Sequence, residues 1–259
     1  MKKYAILTHG GAGSKNDYAD GTLKAAEIGL EGLRSGSSVL ESVCRATVAL
    51  EDDTRFNAGV GSRRRSDGSV QMDAACMDSG NRFGAVAVIE GFKNPILVAY
   101  ALIGGPCRIL GGEGAARFAR ERGFETFDFK TALESRHSVT DTVGCVAYDG
   151  KTFAAALSTG GTGGSPPGRV GDVPLIGCGL YVGPCGAVAA TGHGESIAMN
   201  MTAYRAYLSL ERGESPSAVL QRALSWFAAG QDIGLILVGL AGYAGGSNRS
   251  MAWSALESD

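Results

Sequence analysis

Apolar residues recur along this chain with two periods. Leu23, Ala26, Leu30 and Leu33 are spaced three or four apart, which predicts a helix over 18–34 that Gly36 would end. Ser38-Val39-Leu40-Glu41 has capping-box spacing and predicts a second helix through about residue 50. Pro95 at a first helical position opens another over 95–103, and 115–122 reads as a short one. In the second half, 196–210 is helical with Met199, Ala203 and Ala206 on one side, and Ser215-Pro216 starts a helix running to about 229.

Alternating or continuous apolar runs predict strands over 3–8, 70–77, 83–90, 143–148, 153–157, 175–179, 187–191, 233–240 and 250–254. The runs 70–77 and 83–90 form a pair joined by Asp78-Ser79-Gly80-Asn81. From 124 to 140 the pattern turns polar, as an exposed connection would, and divides the chain into comparable halves. Helices come in pairs and strands in groups. That favours one layered α+β domain over 1–259, sheets inside and helices outside, over a doubly wound parallel sheet.

Composition narrows the class. Hydrophobic residues make up 44% and charged ones 19%, which excludes a disordered chain. A net charge of -2 leaves no electrostatic footprint for nucleic acid, and Arg63-Arg64-Arg65 reads as a solvated loop before Asp67-Gly68. Behind Met1-Lys2-Lys3 the apolar segment spans only 4–7, and no apolar run approaches the ~18 residues of a membrane span, so a soluble cytoplasmic protein is expected. Six cysteines without a C-x-x-C predict reduced core thiols.

Two nucleotide-binding patterns fail. Asn16 stands where G-x-G-x-x-G needs its third glycine, and Cys145 where a phosphate loop ending in Gly150-Lys151-Thr152 needs its first. The sequence also contains neither G-x-S-x-G nor H-E-x-x-H.

What remains is Thr142, at the boundary between a polar run and a buried strand. Three Gly-rich polar turns follow it: Ser158-Thr159-Gly160-Gly161, Gly168-Arg169-Val170-Gly171-Asp172 and Thr191-Gly192-His193-Gly194-Glu195. A threonine hydroxyl is a weak nucleophile, and no base adjoins it in sequence. A cut before Thr142 would free an α-amine with a pKa of about 7.7 to 8, able to act as that base. Each motif alone has an ordinary reading: a strand start, a surface ion pair between Arg169 and Asp172, a strand end running into a helix.

In this order and spacing the motifs resemble the plant-type asparaginase/isoaspartyl peptidase family of N-terminal nucleophile (Ntn) hydrolases. His9-Gly10-Gly11-Ala12-Gly13, Phe56-Asn57-Ala58-Gly59 and Met72-Asp73-Ala74 match its early motifs, and the resemblance spans nearly the whole chain. It implies a four-layer αββα sandwich and self-cleavage between Asp141 and Thr142 into subunits 1–141 and 142–259. By that resemblance Thr142 is the nucleophile, Thr159 assists it, and Asn57 lies near it. Thr191 with the Gly192 amide forms an oxyanion hole. Arg169 holds the substrate α-carboxylate, while Asp172 and the Gly194 backbone hold its α-amine.

The resemblance further implies a structural sodium ion on backbone carbonyls of Leu50, Glu51, Asp53, Phe56, Ala58 and Val60, no catalytic cofactor, and a homodimer of αβ units. The substrates it implies are small molecules, L-asparagine and β-aspartyl dipeptides. Asp141 is similar to the residue before the cut in the aspartylglucosaminidase branch, so a glycosylasparaginase-like amidase is a rival. A non-processing amino-acid-binding protein of the same fold is another.

Overall fold

The computed structural model describes residues 4–129 and 142–258. Strand β1 (Tyr4–His9) leads through a glycine-rich turn to α1 (Ala19–Arg34) and α2 (Val39–Glu51). The capping expectation holds: Ser38 Oγ accepts the Glu41 N–H at 3.2 Å, satisfying one of the orphan donors of α2. Strands β2 (Met72–Asp78) and β3 (Phe83–Ile89) form an antiparallel pair, followed by α3 (Pro95–Ala101), β4 (Ile109–Gly111) and α4 (Gly112–Glu121).

The second half contains β5 (Val143–Tyr148), β6 (Phe153–Thr159), β7 (Leu180–Gly183) and β8 (Gly186–Gly192). Then come α5 (Gly194–Met199), α6 (Thr202–Glu211), α7 (Pro216–Leu224), β9 (Ile233–Gly239), β10 (Gly242–Ser247) and β11 (Trp253–Ser258). Among the described residues one sheet runs β11-β1-β5-β6-β2-β3-β4 and a second β10-β9-β8-β7. All pairings between these strands are antiparallel except β3 with β4.

Period-two alternation sends successive side chains into different apolar clusters. In β1, Ile6 joins Leu30, Leu40 and Val43 of α1 and α2, whereas Ala5 and Leu7 meet Ala187, Ile236 and Val238 of the smaller sheet. In β8, Ala187 and Ala189 join that second cluster while Val188 and Ala190 pack with Ala206, Leu210 and Val219 of α6 and α7. Each fully buried Leu or Ile of this kind contributes about 1.5–3 kcal/mol.

Several expectations are corrected. The run 175–179 is not a strand: Leu175 N–H donates to Asp172 O and Cys178 N–H to Leu175 O, so its backbone is spent on turns around Asp172, and Leu175 and Ile176 stay exposed. The helix over 196–210 is broken, with Met201 in left-handed conformation at φ 46° between α5 and α6. Its cause is tertiary: the Ala203 and Tyr204 N–H groups donate to Cys178 O and Gly177 O, which satisfies donors that begin a new helix. Met199 consequently faces solvent, 85% exposed, instead of sharing the core side with Ala203 and Ala206.

Helix α7 stops at Leu224, and β4 and the glycine-diluted β10 went unpredicted. In the 124–140 connection, Phe129 is buried and Phe124 and Phe127 pack against the α1–α4 cluster; residues 130–140 lie outside the described residues. Cys44, Cys76 and Cys145 are buried free thiols as expected, but Cys107 is exposed. No helix among the described residues is long and apolar enough to cross a membrane.

Candidate active site

Thr142 directly precedes β5 and is buried to 7% exposure. The register Val143↔Ser158 between β5 and β6 places it opposite Thr159, and Thr159 in turn pairs with Asp73 of β2. Thr142, Thr159, Gly161, Arg169, Gly171, Asp172, Gly192 and Gly194 line one cavity of about 10 Å³. That is close to the volume a single water needs. The predicted nucleophile, its neighbour and the predicted substrate-head residues therefore converge, from strand ends and loops separated by up to fifty-two residues.

The Thr159 turn is held from behind. Thr159 Oγ1 accepts the Gly161 N–H at 3.0 Å. Asn57 Nδ2 donates to Gly161 O at 2.7 Å, its Oδ1 accepts the Arg63 N–H at 2.9 Å, and its main-chain carbonyl accepts the Gly160 N–H. Asn57 thus ties the loop after α2 to the turn beside Thr142, and does not itself line the cavity.

Thr191 is fully buried next to Thr142. Its Oγ1 accepts the Ala12 N–H at 3.2 Å and its hydroxyl points at the Thr142 carbonyl at 3.5 Å. Gly192 has φ 139°, and a Cβ there would stand 2.0 Å from Asp232 O, so glycine is required for β8 to end in this path.

Arg169 donates from Nε and Nη2 to the two carboxylate oxygens of Glu195, each at 2.9 Å. The surface ion pair between Arg169 and Asp172 weighed from sequence is absent among the described salt bridges; Glu195 takes that place. Asp172 is buried, and burial pushes its carboxyl up to about 7 against the pull of its own N–H and of Arg169. A Cβ on Gly194 would stand 2.7 Å from Arg169 Nη2 and 3.0 Å from Asp172 Oδ1, so the missing side chain keeps the space between cation and acid open.

Three buried side chains have no site role in the sequence reading. Asp73 Oδ1 accepts the Val88 N–H at 2.8 Å, and burial raises its pKa beside Arg65 and Arg169. Glu51 accepts the Ile96 N–H at the start of α3, and burial pushes it up to about 8. Arg65 is 3% exposed, donating to Ser165 Oγ and Gln71 O behind Gly161; it corrects the reading of the arginine run as a solvated loop. A polar residue inside an apolar run was the available signal for Asp73; Glu51 opens the acidic run Glu51-Asp52-Asp53 and offered none. Arg65 had none. The bond at Asp141 lies outside the described residues.

The family model described as Asparaginase matches residues 2–140 and 129–258. The isoaspartyl peptidase/L-asparaginase of Macaca fascicularis is 36% identical, covering 98% of this chain and 93% of its own. That of Homo sapiens is 34% identical over the same shares. The plant-type L-asparaginase of Pyrococcus horikoshii is 35% identical, covering 93% of this chain and 92% of its own.

Proposed function

We propose, because the chain belongs to the asparaginase family, that it is a threonine amidohydrolase cleaving β-aspartyl dipeptides and the side-chain amide of L-asparagine. The observation that carries the reading is the shared cavity of Thr142, Thr159, Arg169, Asp172, Gly192 and Gly194. An apolar cluster shared by the two sheets, with one under the helices on either side, supports a single domain with the four-layer αββα arrangement of Ntn hydrolases.

In this reading the chain first cuts itself. Thr142 Oγ attacks the Asp141 carbonyl, the peptide C–N bond breaks as an ester forms, and water hydrolyses the ester to leave 1–141 with a new carboxylate and Thr142 with a free amine. In turnover that amine accepts the hydroxyl proton as Oγ attacks the substrate amide carbon. Negative charge moves to the carbonyl oxygen, where the Thr191 hydroxyl and the Gly192 N–H receive it. The C–N bond then breaks, the ammonium returns its proton to the departing amine or ammonia, and water releases aspartate from the acyl-enzyme.

Specificity follows from the substrate head. Arg169 takes the α-carboxylate through a planar fork. Ionised Asp172 and the Gly194 backbone take the ammonium, so the amide reaching Thr142 is one carried on an aspartyl side chain. Thr159 and Asn57 fix the turn beside the nucleophile.

The loop after α2 suits a sodium ion. Gly59 at φ 50° brings the chain back so that a Cβ would meet Glu51 O at 2.5 Å, and one on Gly61 would meet Phe56 O at 2.0 Å. The Asp53 and Ala58 carbonyls each accept one N–H, which leaves a lone pair free, whereas Leu50 O already accepts from both Asp52 and Asp53. Hard cations favour such oxygen donors. With Val60, these carbonyls would hold the ion, which supplies charge that stiffens the loop carrying Asn57 and takes no part in bond making. A reducing cytoplasm suits the six unpaired cysteines.

Denaturing electrophoresis together with ammonia or aspartate release tests the proposal. Two bands matching 1–141 and 142–259 and release from L-asparagine or a β-aspartyl dipeptide are expected; a persistent single band with no release overturns it and favours the binding-protein reading. Turnover restricted to glycosylated asparagine would favour the glycosylasparaginase-like amidase.

A further inference from the structure

Glu195 has no part in the chemistry above, yet it meets Arg169 through a two-point fork, with Nε to Oε1 and Nη2 to Oε2 at 2.9 Å each. A guanidinium offers two edges to carboxylates in this way, Nε/Nη2 and Nη1/Nη2. Glu195 occupies the first. The second adjoins two glycines of the cavity: a Cβ on Gly171 would stand 3.0 Å from Nη1, and one on Gly194 would stand 2.7 Å from Nη2.

We infer that Glu195 is a positioning residue that grips the outer edge of Arg169 and thereby aims the Nη1/Nη2 edge into the cavity to receive the substrate α-carboxylate. The inference rests on reading Arg169 as the carboxylate holder.

An unheld arginine samples many rotamers, and a ligand that must order it binds less tightly. Arg169 is 15% exposed and Glu195 59%, so the grip sits at the rim of the site while the aimed edge faces inward. A pair this exposed adds little to folding stability. Its effect therefore belongs to ligand binding. The opposite arrangement, in which Glu195 imitates the substrate carboxylate and competes with it, gives the opposite sign: removing Glu195 would then tighten binding.

The test compares wild type with Glu195→Gln and Glu195→Asp, after circular dichroism and electrophoresis have matched their fold and processing. Affinity for L-aspartate is measured by titration calorimetry, alongside KM and kcat for L-asparagine. Glu195→Gln is expected to raise Kd and KM roughly tenfold, about 1.4 kcal/mol, with kcat within about twofold. Glu195→Asp, with a shorter arm, is expected to fall between.

The α-amide of L-aspartic acid, which lacks the α-carboxylate, is expected to bind wild type and variants alike. A lower Kd for L-aspartate in Glu195→Gln overturns the inference in favour of competition. An unchanged Kd, or equal weakening for both ligands, also overturns it. Wild type that binds L-aspartate but fails to hydrolyse asparagine would sink the proposed activity and leave this comparison decisive. Absence of L-aspartate binding in wild type would overturn the role of Arg169 and the grip with it.

Discussion

The imidazole of His9 lies against Gly144, its Nε2 2.5 Å from where a Cβ on Gly144 would stand, in the register His9↔Gly144 that joins β1 to β5. His9 is fully buried, and burial pushes its pKa down to about 3 against the effect of the Thr142 backbone. A neutral ring thus wedges the strand that presents Thr142. It fills space there, packed against Gly144.

Gly144→Ala is therefore expected to lower the melting temperature and the activity together. The new methyl would stand 2.4 Å from Leu157 Cδ2 as well as 2.5 Å from His9 Nε2, both fully buried. Overpacking of that kind costs about 1–3 kcal/mol, or roughly 2–12 °C at 2–4 °C per kcal/mol. Thermal unfolding of the purified variant checks this; a wild-type melting temperature would refute the wedge.

Under the proposed mechanism Thr142→Ala should remain one chain on a denaturing gel and release no ammonia, since it removes both the hydroxyl proposed to cut the chain and the route to a free amine beside it. Thr142→Ser keeps the hydroxyl and should still process. Normal turnover by the alanine variant would show that the nucleophile lies elsewhere.

Thr191→Val replaces a fully buried hydroxyl by a methyl at nearly constant shape. Loss of one oxyanion donor costs about 2.7–4 kcal/mol, so kcat should fall ~10²–10³-fold with KM changed far less. Steady-state kinetics on L-asparagine decide it: a change confined to KM would remove Thr191 from the oxyanion hole.

In the proposed binding mode the substrate ammonium requires Asp172 ionised, and burial holds its carboxyl up at about 7. Affinity for L-aspartate should accordingly strengthen as pH rises through about 7, and Asp172→Asn should abolish that rise. Calorimetry at pH 6 and pH 8 is the measurement.

The same burial has a stability consequence of opposite sense. Folding raises Asp172 from 3.8 to about 7 and Glu51 from 4.5 to about 8, so between those values the folded state holds protons that the unfolded chain has released. Stability contributed by these groups is then lost as pH rises from about 4 to about 8. Glu51→Gln should flatten the decline, seen by comparing melting temperatures at pH 5 and pH 8. An equally steep decline in the variant would exclude Glu51 as a source.

Local sequence determined the elements whose signals are short-range. Ser38 caps α2, Ser215 accepts the Ala218 N–H at the start of α7, and apolar alternation marks β1, β5, β8 and β9, because capping and period-two burial depend on residues only a few positions apart. Motif order further pointed to a Thr142-centred site, and the cavity gathers its substrate-head residues.

The tertiary structure alone decided the break between α5 and α6 and the burial of Arg65, Asp73 and Glu51. Each depends on partners remote in sequence: Gly177 and Cys178 for Ala203 and Tyr204, Val88 for Asp73, Ile96 for Glu51. It also paired Arg169 with Glu195 rather than with Asp172, because a guanidinium edge is assigned by where loops meet in space and not by their order along the chain.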